Sequence, residues 1–246
     1  MRNIKLTLEY DGTNYNGWQA QKHNPDTIQE KIENALTIIN KKPVKIYGAS
    51  RTDAGVHALG QTASVMLDVL IPVENIPLAL NSLLPDDIVC KKAELMDMDF
   101  HARYDAKGKK YRYRIYNDLI PSVFSSRYVY YYKRKLNLSL MGEAALHLTG
   151  TKDFSAFRAA GCTAVNTVKT INSIEIIEKK PEVWIEITGS GFLYNMVRII
   201  VGTLIEVSTG KIKIEDLDNI IRSGDRRLAG YTVPARGLTL VEVYYN

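Results

Sequence analysis

Hydrophobic and polar positions alternate from the first residues of the chain. Ile4, Leu6, Leu8 and Tyr10 interleave with Lys5, Thr7 and Glu9, the period of a strand with one buried face. Asp11-Gly12-Thr13 turns the chain. Thr27-Ile28-Gln29-Glu30 is a capping box, and Ile28, Ile32, Ala35, Leu36 and Ile39 follow at helical spacing, with Pro43 as the stop. Val44 to Tyr47 predicts a short strand, Gly48 to Gly55 a loop, and Val56 to Leu67 a mostly extended segment. Further strands are expected over 88–95, 109–117, 168–177, 183–188 and 238–245, and helices over 74–84, 139–148 and 216–222. Phe192 to Val201 is apolar almost all round, which predicts a buried helix. Strands outnumber helices, and few are separated by the single helix that a βαβ unit needs. The pattern therefore predicts an α+β fold with a mixed, mainly antiparallel sheet flanked by helices.

Composition narrows the chemistry. The 246 residues are 46% apolar and 24% charged, an ordinary globular mix that can bury a core without staples. Two cysteines, Cys90 and Cys162, exclude a disulfide scaffold and a Cys-rich zinc module, and both read as small core residues. The longest apolar stretch, Phe192 to Val207, is too short for a bilayer and holds Asn195, Arg198 and Glu206. Met1-Arg2-Asn3-Ile4-Lys5 leads into the first strand with no signal-like apolar run, so a cytoplasmic protein without membrane contact is expected. The four histidines are scattered at 23, 57, 101 and 147, and HExxH, CxxC, P-loop and GxSxG patterns are absent. Gly189-Ser190-Gly191 lacks the third glycine of a dinucleotide loop, since Tyr194 stands there. No metal and no cofactor are expected; side chains alone carry the chemistry.

Charge divides the chain unevenly. Residues 1–105 hold 11 basic and 14 acidic side chains, and residues 106–246 hold 21 and 13. Segment 107–135 alone has nine basic groups against Asp118. A softly marked boundary near residue 105 follows, giving an N-terminal half, 1–105, and a basic C-terminal half, 106–246. In the second half, Lys110, Arg112 and Arg114 alternate with Tyr111, Tyr113 and Ile115, so on a strand the cations share one face. Tyr128, Tyr130, Tyr131 and Tyr132 run into Lys133-Arg134-Lys135. Aromatic rings beside cations suit RNA, whose unpaired bases stack and whose phosphates pair. A half-buried strand with a wet basic face has the same pattern.

Two features stand out chemically. In loop Gly48 to Ala58, framed by small residues, Arg51 and Asp53 share a side if the loop is locally extended; an adjacent guanidinium keeps a carboxylate ionised where water is excluded. The plainer alternative is a turn Asp capping backbone N–H groups. Arg198 is the only cation in the apolar run 192–201, and a buried guanidinium needs an anion, for which Asp53 is one choice; snorkelling to the surface is the other.

Tyr10 to Gln21, Gly48 to Gln61, Leu80 to Ile88, Phe100 to Ala106, Tyr111 to Tyr113, Asp153 to Phe157, Gly191 to Gly202 and Pro234 to Leu238 together resemble the tRNA pseudouridine synthase A (TruA) family. The resemblance covers nearly the whole chain. It implies the pseudouridine synthase fold, two similar halves around a central cleft, forming one catalytic unit. It implies isomerisation of uridine to pseudouridine at positions 38 to 40 of the tRNA anticodon arm, by a homodimer that holds one tRNA across both subunits, without metal or cofactor. At the matching positions Asp53 is the catalytic carboxylate, Tyr111 packs against the target base, Arg51 helps extrude the nucleotide, and Arg198 pairs with Asp53. The carboxylate would attack C1′, add to C6 or remove the C2′ proton. Ser50 stands where the family usually has Gly, and Tyr231 and Val233 where it more often has Pro and Ala. The alternatives are a synthase acting on another RNA and an inactive RNA-binding protein on the same scaffold.

Overall fold

A computed structural model describes residues 1–21, 24–162 and 164–245; His23 lies outside the described residues. The chain divides into two compact units, 1–107 with 239–246, and 108–238. The charge break near residue 105 groups the closing segment with the second half. In the structure residues 239–246 fall with the first unit.

The first unit is built on β1 (Arg2–Tyr10), which pairs antiparallel with β3 (His57–Leu67) on one side and β4 (Ile88–Met96) on the other. Beyond β3, β2 (Ile46–Gly48) pairs antiparallel with Ala63–Val65, and β10 (Leu238–Tyr244) pairs parallel with His57 and Ala58. Ile4, Leu6, Leu8 and Tyr10 all point into the core, as their alternation predicts. Helix α1 (Ile28–Asn40) buries Ile28, Ile32, Ala35 and Leu36. Thr27 caps it by accepting the Glu30 N–H at 3.3 Å. Glu30 reaches back to the N–H of Asp26, one residue short of the usual capping-box partner. The expected helix 74–84 is shorter: a 3₁₀ turn at Val73–Asn75, then α2 (Ile76–Asn81), with Pro77 confined to the first turn where its missing N–H costs nothing.

The second unit is an antiparallel sheet in the order β7 (Gly150–Asp153), β8 (Val168–Lys179), β9 (Glu182–Gly189), β5 (Gly108–Tyr116). The two-residue strand β6 (Tyr130–Tyr131) lies parallel on β5. Helices α3 (Leu138–His147), α4 (Met196–Ser208) and α5 (Leu217–Ser223) complete it. Each unit is thus α+β, and the two parallel pairings, β3 with β10 and β5 with β6, make the sheet mixed. Helix α4 starts four residues later than the apolar run predicts. Asn195 adopts φ 60°, a left-handed conformation that no helix can continue through, and a turn closed by the Met196 N–H on Leu193 O at 3.0 Å precedes the helix.

The alternation on β5 is real but its cations are not free. Tyr111, Tyr113 and Ile115 are buried on one face. On the other, Lys110 and Arg112 both pair with Glu186, and Arg112 Nε donates to that carboxylate at 2.7 Å. Arg114 grips Glu182 with two bonds of 2.8 and 2.7 Å, and the Arg112 guanidinium lies 4.2 Å from the centre of the Trp184 ring. The basic face of this strand is therefore a cross-strand ion-pair ladder with β9, rather than a row of unpaired cations awaiting phosphate.

Burial alone would raise the Glu186 and Glu182 carboxyls, but their hydrogen-bonded cations outweigh it and hold both below the ordinary value of 4.5. Carboxyls lowered on folding contribute stability above their unfolded value and lose it as pH falls through the folded one. Thermal melts from pH 7 to pH 3 should therefore fall steeply below about pH 4.5. Glu186→Gln should cost about 2 kcal/mol at neutral pH and make that fall shallower. Melts that stay flat in acid for the native chain would contradict the ladder.

The cysteines differ. Cys90 is buried, as expected, and desolvation pushes its thiol up to about 12. Cys162 is partly exposed, so the core reading fails for it; it sits in the loop after Gly161, whose φ is +81°. Alkylation at pH 8 followed by peptide mass spectrometry should modify Cys162 and leave Cys90 intact.

Candidate active site

The loop carrying Arg51 and Asp53 is fastened at nearly every residue within the first unit. The Ala49 N–H donates to Thr62 O at 2.7 Å. The Gln61 side chain, fully buried, accepts the Ser50 N–H at 3.1 Å and donates to Ser50 O at 2.7 Å. Thr52 Oγ1 shares a 2.7 Å hydrogen bond with the Tyr10 hydroxyl. Thr52 O accepts the Trp18 N–H at 3.0 Å, and Asp53 O accepts the Val56 N–H at 3.1 Å, closing a turn through the main chain. Asp53 thus stands half-buried between anchored neighbours.

Segment 12–18 is the mould for this loop. A Cβ on Gly12 would lie 2.0 Å from Val56 O, and one on Gly17 2.7 Å from Thr52 O, so only glycine allows this approach. Gly17 also has φ +88°, which other residues adopt only with strain. The carbonyls of Gly17 and Trp18 accept the Ile28 and Gln29 N–H groups, the first orphan donors of α1. Helix start, glycine turn and Asp53 loop form one hydrogen-bonded relay.

Arg51 is exposed and lines a cavity of about 260 Å³ together with Trp18, His101, Arg103 and Tyr104. Beside it the rings of Tyr47, His101 and Tyr104 form a tilted ladder, with centroids 5.0 and 4.3 Å apart. Tyr104 is 75% exposed. Sequence reasoning gave His101 to Tyr104 no role. Their only signal was a His-Ala-Arg-Tyr string some 50 residues from Arg51, and only folding brings it there.

In the second unit, Tyr111 is buried on β5 and meets Phe192 edge-on, with ring centroids 5.4 Å apart. In the sequence Phe192 reads only as the start of an apolar helix, with nothing to signal this ring contact. Arg198 occupies the first turn of α4, the positive end of the helix dipole, where a cation needs acceptors. It has them: Nε donates to Val233 O at 2.7 Å and Nη1 to Asn195 Oδ1 at 2.6 Å. The contact with Val233 runs through its carbonyl, so a change from Ala to Val there leaves the acceptor unchanged. Among the described residues no cluster of His, Cys, Asp and Glu could hold a metal ion, and no helix is long and apolar enough to cross a membrane.

The model of the tRNA pseudouridine synthase family matches residues 7–105 and 144–246. The chain belongs to that family. It is 53% identical over 245 residues to tRNA pseudouridine synthase A of Acetivibrio thermocellus and 48% identical over 245 residues to that of Clostridium acetobutylicum, each alignment covering 100% of both chains.

Gly17→Ala should therefore cost at least about 1 kcal/mol of stability through its backbone strain alone. Synthase activity should fall further than stability does, because the displaced backbone is that of Thr52 and Asp53. Calorimetry alongside a turnover assay at a temperature where the variant stays folded separates the two effects.

Proposed function

We propose that this protein converts uridine to pseudouridine at positions 38 to 40 of the tRNA anticodon arm, with Asp53 as its catalytic carboxylate. The observation that carries the reading is the half-buried Asp53 in a loop pinned by Gln61, Tyr10, Gly12 and Gly17, in a chain of this family. The reaction breaks the N1–C1′ bond and joins C1′ to C5. Uracil must rotate without leaving, which requires a stacking wall; in this reading Tyr111 packs against it, its ring held edge-on by Phe192 at 5.4 Å. The target must first leave its stem at a cost of a few kcal/mol, and exposed Arg51 beside an aromatic ladder can offset that by contacting phosphate. Asp53 must be ionised whether it attacks C1′, adds to C6 or takes the C2′ proton. In this reading Arg198 is the cation that keeps it so, since an ionised carboxylate in a site closed to water needs a positive partner. The protein works as a homodimer in the cytoplasm, and the reaction needs no metal or cofactor, because proton transfer and nucleophilic attack are within reach of a carboxylate.

Asp53→Asn decides the matter. Incubated with unmodified tRNA, the native protein should form pseudouridine at positions 38 to 40, mapped by chemical modification and mass spectrometry. The variant should form none while keeping its melting temperature within about 2 °C and its tRNA affinity. Product on ribosomal RNA instead, or binding without product in the native protein, would replace the reading with one of its alternatives.

A further inference from the structure

The second unit contains a cavity of about 540 Å³ lined by Tyr131, Tyr132, Lys133, Arg134, Glu206 and Tyr231. Glu206 is eight residues beyond Arg198 on α4, about 12 Å along the helix axis. The volume lies within the range of about 300–1,000 Å³ typical of small-ligand sites.

Its walls are fixed. The Asn117 amide donates to Tyr132 O at 2.7 Å and Arg134 O at 2.8 Å. The Tyr131 hydroxyl donates to Leu119 O at 2.7 Å. Tyr231 is held 3.3 Å from the Tyr130 hydroxyl, and burial pushes the Tyr231 and Tyr132 hydroxyls up, so both rings are neutral. Of the charged lining groups, Glu206 pairs with Lys211 at 3.4 Å. Lys133 and Arg134 are exposed and make no ion pair among the described residues. This sets them apart from Lys110, Arg112 and Arg114, each of which already pairs with Glu186 or Glu182. Two of the nine cations of segment 107–135, Lys133 and Arg134, thus line the aromatic cavity and are exposed to solvent.

We propose that this cavity is a second nucleotide subsite, which takes an unpaired nucleotide of the bound RNA other than the target uridine. Its base stacks on Tyr132 and Tyr231, and its phosphates meet Lys133 and Arg134. Neutral rings provide stacking surface that tolerates any base, while the two cations provide charge, the combination that binds single-stranded RNA. The proposal rests on the reading that RNA is the substrate, and deepens it by adding a contact that positions the RNA without touching the reacting atoms.

The test uses the full chain carrying Asp53→Asn, so that RNA retention is independent of turnover. A tRNA transcript with 4-thiouridine in place of uridine is bound, irradiated and digested, and the cross-linked peptides are identified by mass spectrometry. A cross-link within 131–134 or at Tyr231 is expected. In the otherwise native protein, Lys133→Ala with Arg134→Ala changes only exposed side chains. The pair should raise KM for tRNA about tenfold against a nearly constant kcat, and reduce the salt slope of binding by about one unit per cation. RNA that binds but cross-links only elsewhere overturns the subsite and leaves the synthase reading standing. Failure to bind RNA at all overturns both. If the double variant sediments as a monomer while the native chain is a dimer, and salt slopes are equal, the cavity holds a second copy of the chain and the subsite is overturned.

Discussion

The first unit depends on one close approach of backbone to backbone. Gly12 and Gly17 let segment 12–18 lie directly on residues 52–56, at distances where any side chain would collide. The same segment satisfies the first donors of α1 through the carbonyls of Gly17 and Trp18. Trp18, buried beneath Gly48, fills the space between. The start of α1, the glycine turn and the loop that carries Asp53 thus share one set of hydrogen bonds. Moving any of them leaves buried polar groups unpaired, a penalty of about 1–3 kcal/mol each. This is why the proposed carboxylate can sit on a loop and still be positioned as firmly as a residue on a strand.

The second unit solves a different problem. Its sheet carries cations and aromatic rings on the same strand, an arrangement that would self-repel if left uncompensated. Glu186 and Glu182 on β9 pair with Lys110, Arg112 and Arg114 from across the ladder, and Trp184 covers Arg112. Exposed cations without an ion pair among the described residues instead stand just after β6, at Lys133 and Arg134. A polyanion meets charge where the backbone turns outward, and the sheet keeps its own pairs.

Much of this was legible in the chain. Alternation placed β1, β5 and β9 within two residues, since strand period is a local property of which side chains face the core. The capping box and Pro43 bounded α1, because helix ends are signalled by side chains that bond the adjacent backbone. The loop at Asp53 was recognisable by its small residues flanking Arg and Asp. The start of α4 is not legible there, because hydrophobicity carries no information on the left-handed turn at Asn195.

Sequence alone determined the α+β class, the strand faces, the absence of metal-binding and nucleotide-loop motifs, and the residues to suspect. Tertiary structure decided which of them keep company. The pairing of β5 cations with β9 carboxylates joins residues some 70 positions apart, and the meeting of His101 and Tyr104 with Arg51 spans some 50. Pattern along a chain reports each side chain's exposure. Partnership depends on register and crossing, and these are set only when distant segments compete to bury the same surface.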